Sequence, residues 1–153
     1  MINGTLYHLG VVTADLDAAM AHYRDLGVPE FVRMDTDYPA RFRGRDIRIA
    51  NRNAFGQWGD LVVEIVEPGR GDGPQREALS ARGEGVFHVG YSTDDLVQRP
   101  LSAAACFEVL SDATGEPTGI VYLDTVAALG FFVELVPSTM ATGIVQRVKE
   151  ASR

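Results

Sequence analysis

Two histidines and two glutamates stand inside runs of apolar, strand-forming residues. His8 lies in TLYHLGVV, Glu64 in LVVEIVEP, His88 in GVFHVGYS and Glu134 in FFVELV. Burying an ionisable group costs free energy unless it is paired or bound to a metal. Two neutral imidazoles and two carboxylates suit a divalent ion of borderline hardness. In an octahedron they leave two positions for water, and their two negative charges balance the ion. Taken singly, a strand histidine reads as a hydrogen-bonded core residue and a strand glutamate as solvent-facing, as Glu67 is expected to be. The set of four reads as a metal site, because the same residue types recur at matching points of a duplicated sequence.

The duplication is explicit. Residues 7–16 read YHLGVVTADL and residues 87–96 read FHVGYSTDDL: aromatic, His, aliphatic, Gly, two variable positions, Thr, one variable, Asp-Leu. The endings match as well, LVVEIV against FFVELV. The shared Gly, Thr and Asp-Leu are expected to form a strand-to-helix corner, which leaves the shared His for function. His22, the third histidine, has no counterpart and reads as a surface residue.

These residues need elements to position them. The β-branched run at 5–12 predicts a strand. Asp15 is a natural N-cap for a helix carrying Leu16, Ala19, Met20, Tyr23 and Leu26 on one face, with Gly27 after its end. ARFRGRDIRIANR predicts one or two strands around Gly44, and GDLVVEIVEP a further strand stopped by Pro68. GRGDGP at 69–74 is turn chemistry. PQREALSARG predicts a short helix with Pro74 at its start. In the second repeat, DDLVQRPLSAAACF should hold the matching helix, delayed or broken at Pro100. GIVYLDT and GFFVELVPS predict strands, and TGIVQRVKEAS a last helix with Ile144, Val145 and Val148 on one side. Two half-size βαβββ modules, each with a sheet face to hide, would bury those faces against each other. The expected architecture is therefore α+β, a paired and strongly curved sheet centred on the metal, with helices outside. The expected layout is one domain over 1–153, with modules at 5–68 and 86–138, a linker with a short helix at 69–85, and a C-terminal helix at 139–153.

Composition narrows the function. The 153 residues are 46% hydrophobic with a formal net charge of -7, which suits a folded domain and disfavours a nucleic-acid binder. The apolar runs are too short to cross a bilayer. No basic region followed by an apolar stretch opens the chain, so no secretion signal is expected. The single cysteine, Cys106, fits a reducing cytoplasm and reads as a small core residue. Arg41, Arg43, Arg45, Arg48 and Arg52 crowd one segment of this acidic chain. Arg43, Arg45 and Arg48 are candidates for holding a carboxylate or phosphate; the alternative is the charged face of an edge strand. Trp58, in the FGQWGD turn, and Tyr122 are candidates to line a substrate pocket. Phe42, Phe55, Tyr91 and Phe107 fit either pocket or core.

The repeated YHLG/FHVG strands, LVVEIVEP and LDTVAALGFFVELV resemble the vicinal oxygen chelate superfamily across essentially the whole chain. That superfamily includes glyoxalase I, methylmalonyl-CoA epimerase, extradiol dioxygenases and the bleomycin and fosfomycin resistance proteins. The resemblance implies paired βαβββ modules in a glyoxalase-like fold. It places the glyoxalase I ligand order, His, Glu, His, Glu, on His8, Glu64, His88 and Glu134. Epimerases of this kind carry Gln where Glu64 stands, and add a Glu on a middle strand, where RDIRIA offers Asp46 or Arg48. The chemistry implied is that of a lyase or isomerase: proton abstraction next to a carbonyl through a metal-stabilised enolate. Glu134 and Glu64 would be the bases, and nickel, cobalt, zinc or manganese the ion. A ferrous extradiol-type dioxygenase using His8, His88 and Glu134 is the alternative, and a non-catalytic drug or metabolite binding protein a third reading. The implied partner is a small molecule, anionic or a thioester, and the implied assembly a homodimer.

Overall fold

Strands that alternate apolar and polar residues must hide one face, and here the sheet does so by meeting itself. The computed structural model describes residues 3–95 and 105–153. The first half runs β1 (Thr5–Val12), α1 (Leu16–Asp25), β2 (Phe31–Arg33), β3 (Thr36–Phe42), β4 (Arg45–Trp58) and β5 (Leu61–Arg70). After α2 (Pro74–Arg82) come β6 (Gly85–Ser92), β7 (Ala105–Val109), β8 (Val121–Leu123), α3 (Val126–Leu129), β9 (Phe132–Val136) and α4 (Ser138–Ala151). The strand order is β4-β3-β7-β8-β9-β6-β1-β5, and β5 pairs back onto β4, with β2 flanking β4. The result is an α+β fold with a curved, closed sheet. β1 and β6 are antiparallel at its centre, each with the last strand of its own half, β5 or β9, parallel beside it.

Helix α1 forms where expected. The Asp15 carboxylate accepts the Ala18 N–H at 3.0 Å, and Leu16 and Met20 bury with Val63 and Ile65 of β5. Glu67, expected in solvent, instead accepts the Leu16 N–H at 2.8 Å and pairs with Arg52. An acceptor at this first turn is favourable because the helix leaves its first N–H groups unpaired. Leu26 is not on the buried stripe: the helix ends at Asp25, and Leu26 is 62% exposed.

Pro68 does not stop β5, which continues to Arg70. β1 stops pairing at Val66, and Pro68, opposite Asn51, lies beside a register shift at which Gly69 of β5 is the extra residue. The missing N–H of Pro68 therefore removes no bond to β1, the kind of position where a strand tolerates proline.

The second-half helix was expected within residues 94–107. Residues 96–104 lie outside those described, and Ala105, Cys106 and Phe107 belong to strand β7. Phe107 and Val109 alternate into the core opposite Phe42 and Ala40, a period of two that a helix could not satisfy.

One end of the closed sheet is filled by a core including Phe42, Ile49, Phe87, Phe107 and Phe132, with Ala78 of α2. Across the other end lies α4, whose Val148 is fully buried with Phe55 and Val62, backed by Ile144 and Val145. Between them the interior stays open. No helix among the described residues is long and apolar enough to cross a membrane.

Candidate metal centre and cavity

The aromatic-His pair of each repeat is a β-bulge. In the β1–β6 ladder, Leu6 faces Tyr91 and His8 faces Gly90, so Tyr7 is the extra residue. Likewise Gly10 faces His88 and Val11 faces Val86, so Phe87 is extra. A bulge re-aims its strand and lets two consecutive side chains go inward. Tyr7, His8, Phe87 and His88 are all buried. Tyr7 packs edge-on against His8 with ring centroids 4.4 Å apart, and Phe87 does the same to His88 at 4.4 Å.

The glycine of each repeat receives the other repeat's imidazole. A Cβ on Gly10 would stand 2.0 Å from Cε1 of His88, and one on Gly90 would stand 1.9 Å from Cε1 of His8. These glycines do not belong to the corner, as the repeat had suggested. The corner is made by the threonines, with Asp15 N–H donating to Thr13 Oγ1 at 3.2 Å and Asp95 N–H to Thr93 Oγ1 at 3.1 Å.

The same glycines align the glutamates. Gly10 is in register with Glu64 on β5, and Gly90 with Glu134 on β9. Across neighbouring strands each row reads Glu, Gly, His, and the missing side chain leaves a gap through which carboxylate and imidazole meet. His88 Nε2 lies 3.2 Å from Glu64 Oε2, and His8 Nε2 lies 2.9 Å from Glu134 Oε2. The crossed pairs are 3.4 Å (His8–Glu64) and 3.3 Å (His88–Glu134). The two Nε2 atoms are 2.6 Å apart. One donor atom from each of the four buried residues falls within 4.8 Å of all the others.

The four groups shift one another's protonation. Burial alone would lower the His8 pKa, but hydrogen bonds to Glu134 and Glu64 outweigh it and push it up to about 9. Burial acts against the charge on His88 in the same way, and Glu134 and Glu64 raise it. Burial opposes the charge on Glu64 and Glu134 too, and the histidines hold both below the usual carboxylate range. Donor atoms bound at roughly 2.1 Å to one ion lie about 3.0–3.4 Å from their nearest neighbours. Three of the four imidazole-carboxylate separations have this size and the fourth is 2.9 Å; two carboxylates neutralise a divalent ion, so the residues fit one once the two Nε2 atoms, 2.6 Å apart, spread to admit it. His8 Nδ1 and His88 Nδ1 are buried without hydrogen-bond partners. Ring orientation is therefore set by packing, from the bulged aromatic on one side and the opposing glycine on the other.

A cavity of about 420 Å³ opens from this cluster. His8, Glu64, Glu134 and Tyr122 line one side of it; Tyr38, Asn51, Asn53 and Gln75 also line it, and Met140, Ile144 and Arg147 of α4 cover it. Burial, then the charges of Glu134 and Glu64, push the Tyr122 hydroxyl far up, so it stays a neutral donor. Asn51 and Asn53 were not singled out in the sequence. Their signal was there, two amides at i and i+2 of a strand, the same alternation that places His8 and Gly10 together. The Asn53 amide donates to Thr36 Oγ1 at 3.3 Å, and its Oδ1 is buried without a partner.

Of the residues expected to bind substrate, Tyr122 lines the cavity and the others do not. Arg43 sits in the turn between β3 and β4, paired with Glu77 and Asp124 and stacked over Phe42. Arg45 is exposed at the start of β4. Arg48 points outward to Asp37 at 2.7 Å, and Asp46 pairs with Arg41 at 2.8 Å. Residues on the outer face of a closed sheet cannot reach its interior. Trp58 ends β4 and packs edge-on against Tyr23 of α1, ring centroids 5.2 Å apart. Phe55 lines the cavity, while Phe42 and Phe107 belong to the core.

Residues 7–122 match the family model described as "Glyoxalase/Bleomycin resistance protein/Dioxygenase superfamily". Comparison with curated proteins finds no match. Among solved structures, a variant of methylmalonyl-CoA epimerase from Streptomyces coelicolor in complex with 2-nitronate-propionyl-CoA aligns with a TM-score of 0.53 at 24% identity, covering 88% of this chain and 94% of that one. Methylmalonyl-CoA epimerase from Mycobacterium tuberculosis aligns at 0.53 with 21% identity, covering 92% and 93%. A variant of 4-hydroxymandelate synthase from Streptomyces coelicolor aligns at 0.51 with 16% identity, covering 90% of this chain and 39% of that one. At these identities the likeness is one of fold.

Proposed function

This chain belongs to the glyoxalase/bleomycin resistance protein/dioxygenase superfamily, and from that premise we propose that it is a divalent-metal-dependent lyase or isomerase acting on a small molecule. The observation that carries this reading is the convergence of His8, Glu64, His88 and Glu134 on one buried point beside a cavity. Bound there, a divalent ion supplies Lewis-acid stabilisation of negative charge developing on a substrate oxygen. The remaining work falls to side chains. Each glutamate turns Oε2 toward the imidazoles, leaving Oε1 as the oxygen a substrate can meet. A carboxylate in that position can take a proton from a carbon next to a carbonyl and return it at the same or a neighbouring carbon. Tyr122, which lines the cavity, would supply a neutral hydroxyl as a donor to the substrate.

Two features favour proton transfer by the clustered glutamates over other chemistry of this fold. Among the described residues lining the cavity, Glu64 and Glu134 are its carboxylates; the amides of Asn51 and Asn53 line it from β4, the strand paired with that of Glu64. Among the described residues lining the cavity no carboxylate comes from a middle strand of the first half, and Asp46 pairs with Arg41 outside it. Glu64, 9% exposed and close to both imidazoles, offers a fourth donor, which supports this reading over a three-donor oxygen-activating centre.

The reading is tested by solvent deuterium exchange into a bound substrate. Glu134→Gln keeps the shape and removes the base, so exchange should fall by roughly 10²-fold or more. Full exchange in the variant would remove Glu134 from that role.

A further inference from the structure

The cavity has a charge of its own at its rim. Arg147 projects from α4, which covers the interior, and lines the cavity. Its Nη1 donates to the Met34 sulfur at 3.9 Å, a weak acceptor that leaves the guanidinium charge unpaired. Arg33, Arg41, Arg43, Arg48, Arg52, Arg70 and Arg76 each have a carboxylate within 4.0 Å. Arg147 has none among the described residues, and it is the one Arg or Lys among the described residues lining the cavity. The same lining offers the amides of Asn51 and Asn53. Asn53 is 4% exposed with Oδ1 unpartnered, an acceptor whose desolvation is offset only when a donor arrives.

We propose that Arg147 holds a carboxylate of the substrate at the cavity rim, so that the substrate is a compact polar acid spanning from the metal centre to α4. The inference rests on the metal-centre reading above. It follows from charge: two carboxylates balance a divalent ion, the interior is then neutral, and Arg147 is left to select one negative charge on what enters. A guanidinium suits a carboxylate because its fork matches both oxygens. The unpartnered Asn53 Oδ1 favours a hydroxyl or amide donor on the same molecule.

The test compares two acids that share a chelating end and differ at the other. 2-Oxoglutarate carries a distal carboxylate, and 2-oxopentanoate, with the same number of carbons, carries a methyl group. Binding of each to manganese-loaded protein is measured by calorimetry, for the wild type, Arg147→Gln and Arg147→Lys. The wild type should prefer the diacid by roughly tenfold, Arg147→Gln should bring the ratio near one, and Arg147→Lys should keep part of it. Arg147 is exposed, so the variants should fold. Manganese titrated alone reports whether the metal centre exists, and the diacid-to-monoacid ratio reports Arg147. A wild-type ratio of one, or an unchanged ratio in Arg147→Gln, overturns the inference even where manganese binds one to one.

Discussion

The imidazole of His8 fills the space that a side chain on Gly90 would occupy, 1.9 Å from Cε1 to an added Cβ, and His88 does the same over Gly10. Each repeat therefore supplies the histidine for its own strand and the vacancy for the other's. Because neither Nδ1 has a hydrogen-bond partner, these two glycines are part of what aims the Nε2 atoms.

Gly10→Ala and Gly90→Ala should thus damage the centre from a distance of one strand. Overpacking of this kind costs about 1–3 kcal/mol of stability, and the displaced ring should weaken metal binding at least tenfold. Thermal melts and metal titrations on each variant check this. A Gly10→Ala protein that binds metal like the wild type would show that ring position is set elsewhere.

The metal-free protein should carry a recognisable pH signature. His8 has its pKa raised from the ordinary 6.5 to about 9, so its stabilisation is complete below 6.5 and is lost as pH rises through 9. Glu64 and Glu134 are lowered from 4.5, so theirs is present above 4.5 and is lost as pH falls. The two windows overlap between 4.5 and 6.5. A divalent ion needs the imidazoles deprotonated, so its benefit grows as the proton's fades. Melting temperatures with manganese and with chelator should diverge steadily from pH 6.5 to 9; a gap that narrows over that range contradicts the protonated pair.

The arginines outside the sheet should be silent. Arg48→Ala removes a guanidinium bonded to Asp37 on the outer face, an exposed pair worth about 0–1 kcal/mol. Binding of acids to the metal-loaded protein should not change. A tenfold loss would mean that this face takes part in recognition after all.

The meeting of His8, Glu64, His88 and Glu134 at one point was legible in the sequence because duplication marked them: a lone His8 or Glu64 reads as an ordinary strand residue, and the same pair in both halves does not. The strands and α1 were legible from period and from Asp15. The roles of Tyr7, Phe87, Gly10 and Gly90 were not, because a bulge and a ring-over-glycine contact depend on how β1 and β6 pair, which no local pattern encodes. The arginine cluster misled because inward and outward faces alternate along a strand. In RFRGRDIRIANR, Arg41, Asp46 and Arg48 are paired on the outer face, while the less conspicuous Asn51, and Asn53 just beyond, line the cavity. Arg147 escaped notice because the position of α4 over the sheet's open end is a tertiary fact.

The central claim is that four side chains from two repeats bind one ion. Calorimetric titration of the chelator-treated protein with zinc or manganese, on the wild type and on alanine variants of His8, Glu64, His88 and Glu134, tests it directly. The account predicts one ion per chain, with every variant weakened by at least roughly tenfold. No ion bound to the wild type, or full affinity retained when His88 or Glu134 is replaced, would contradict it.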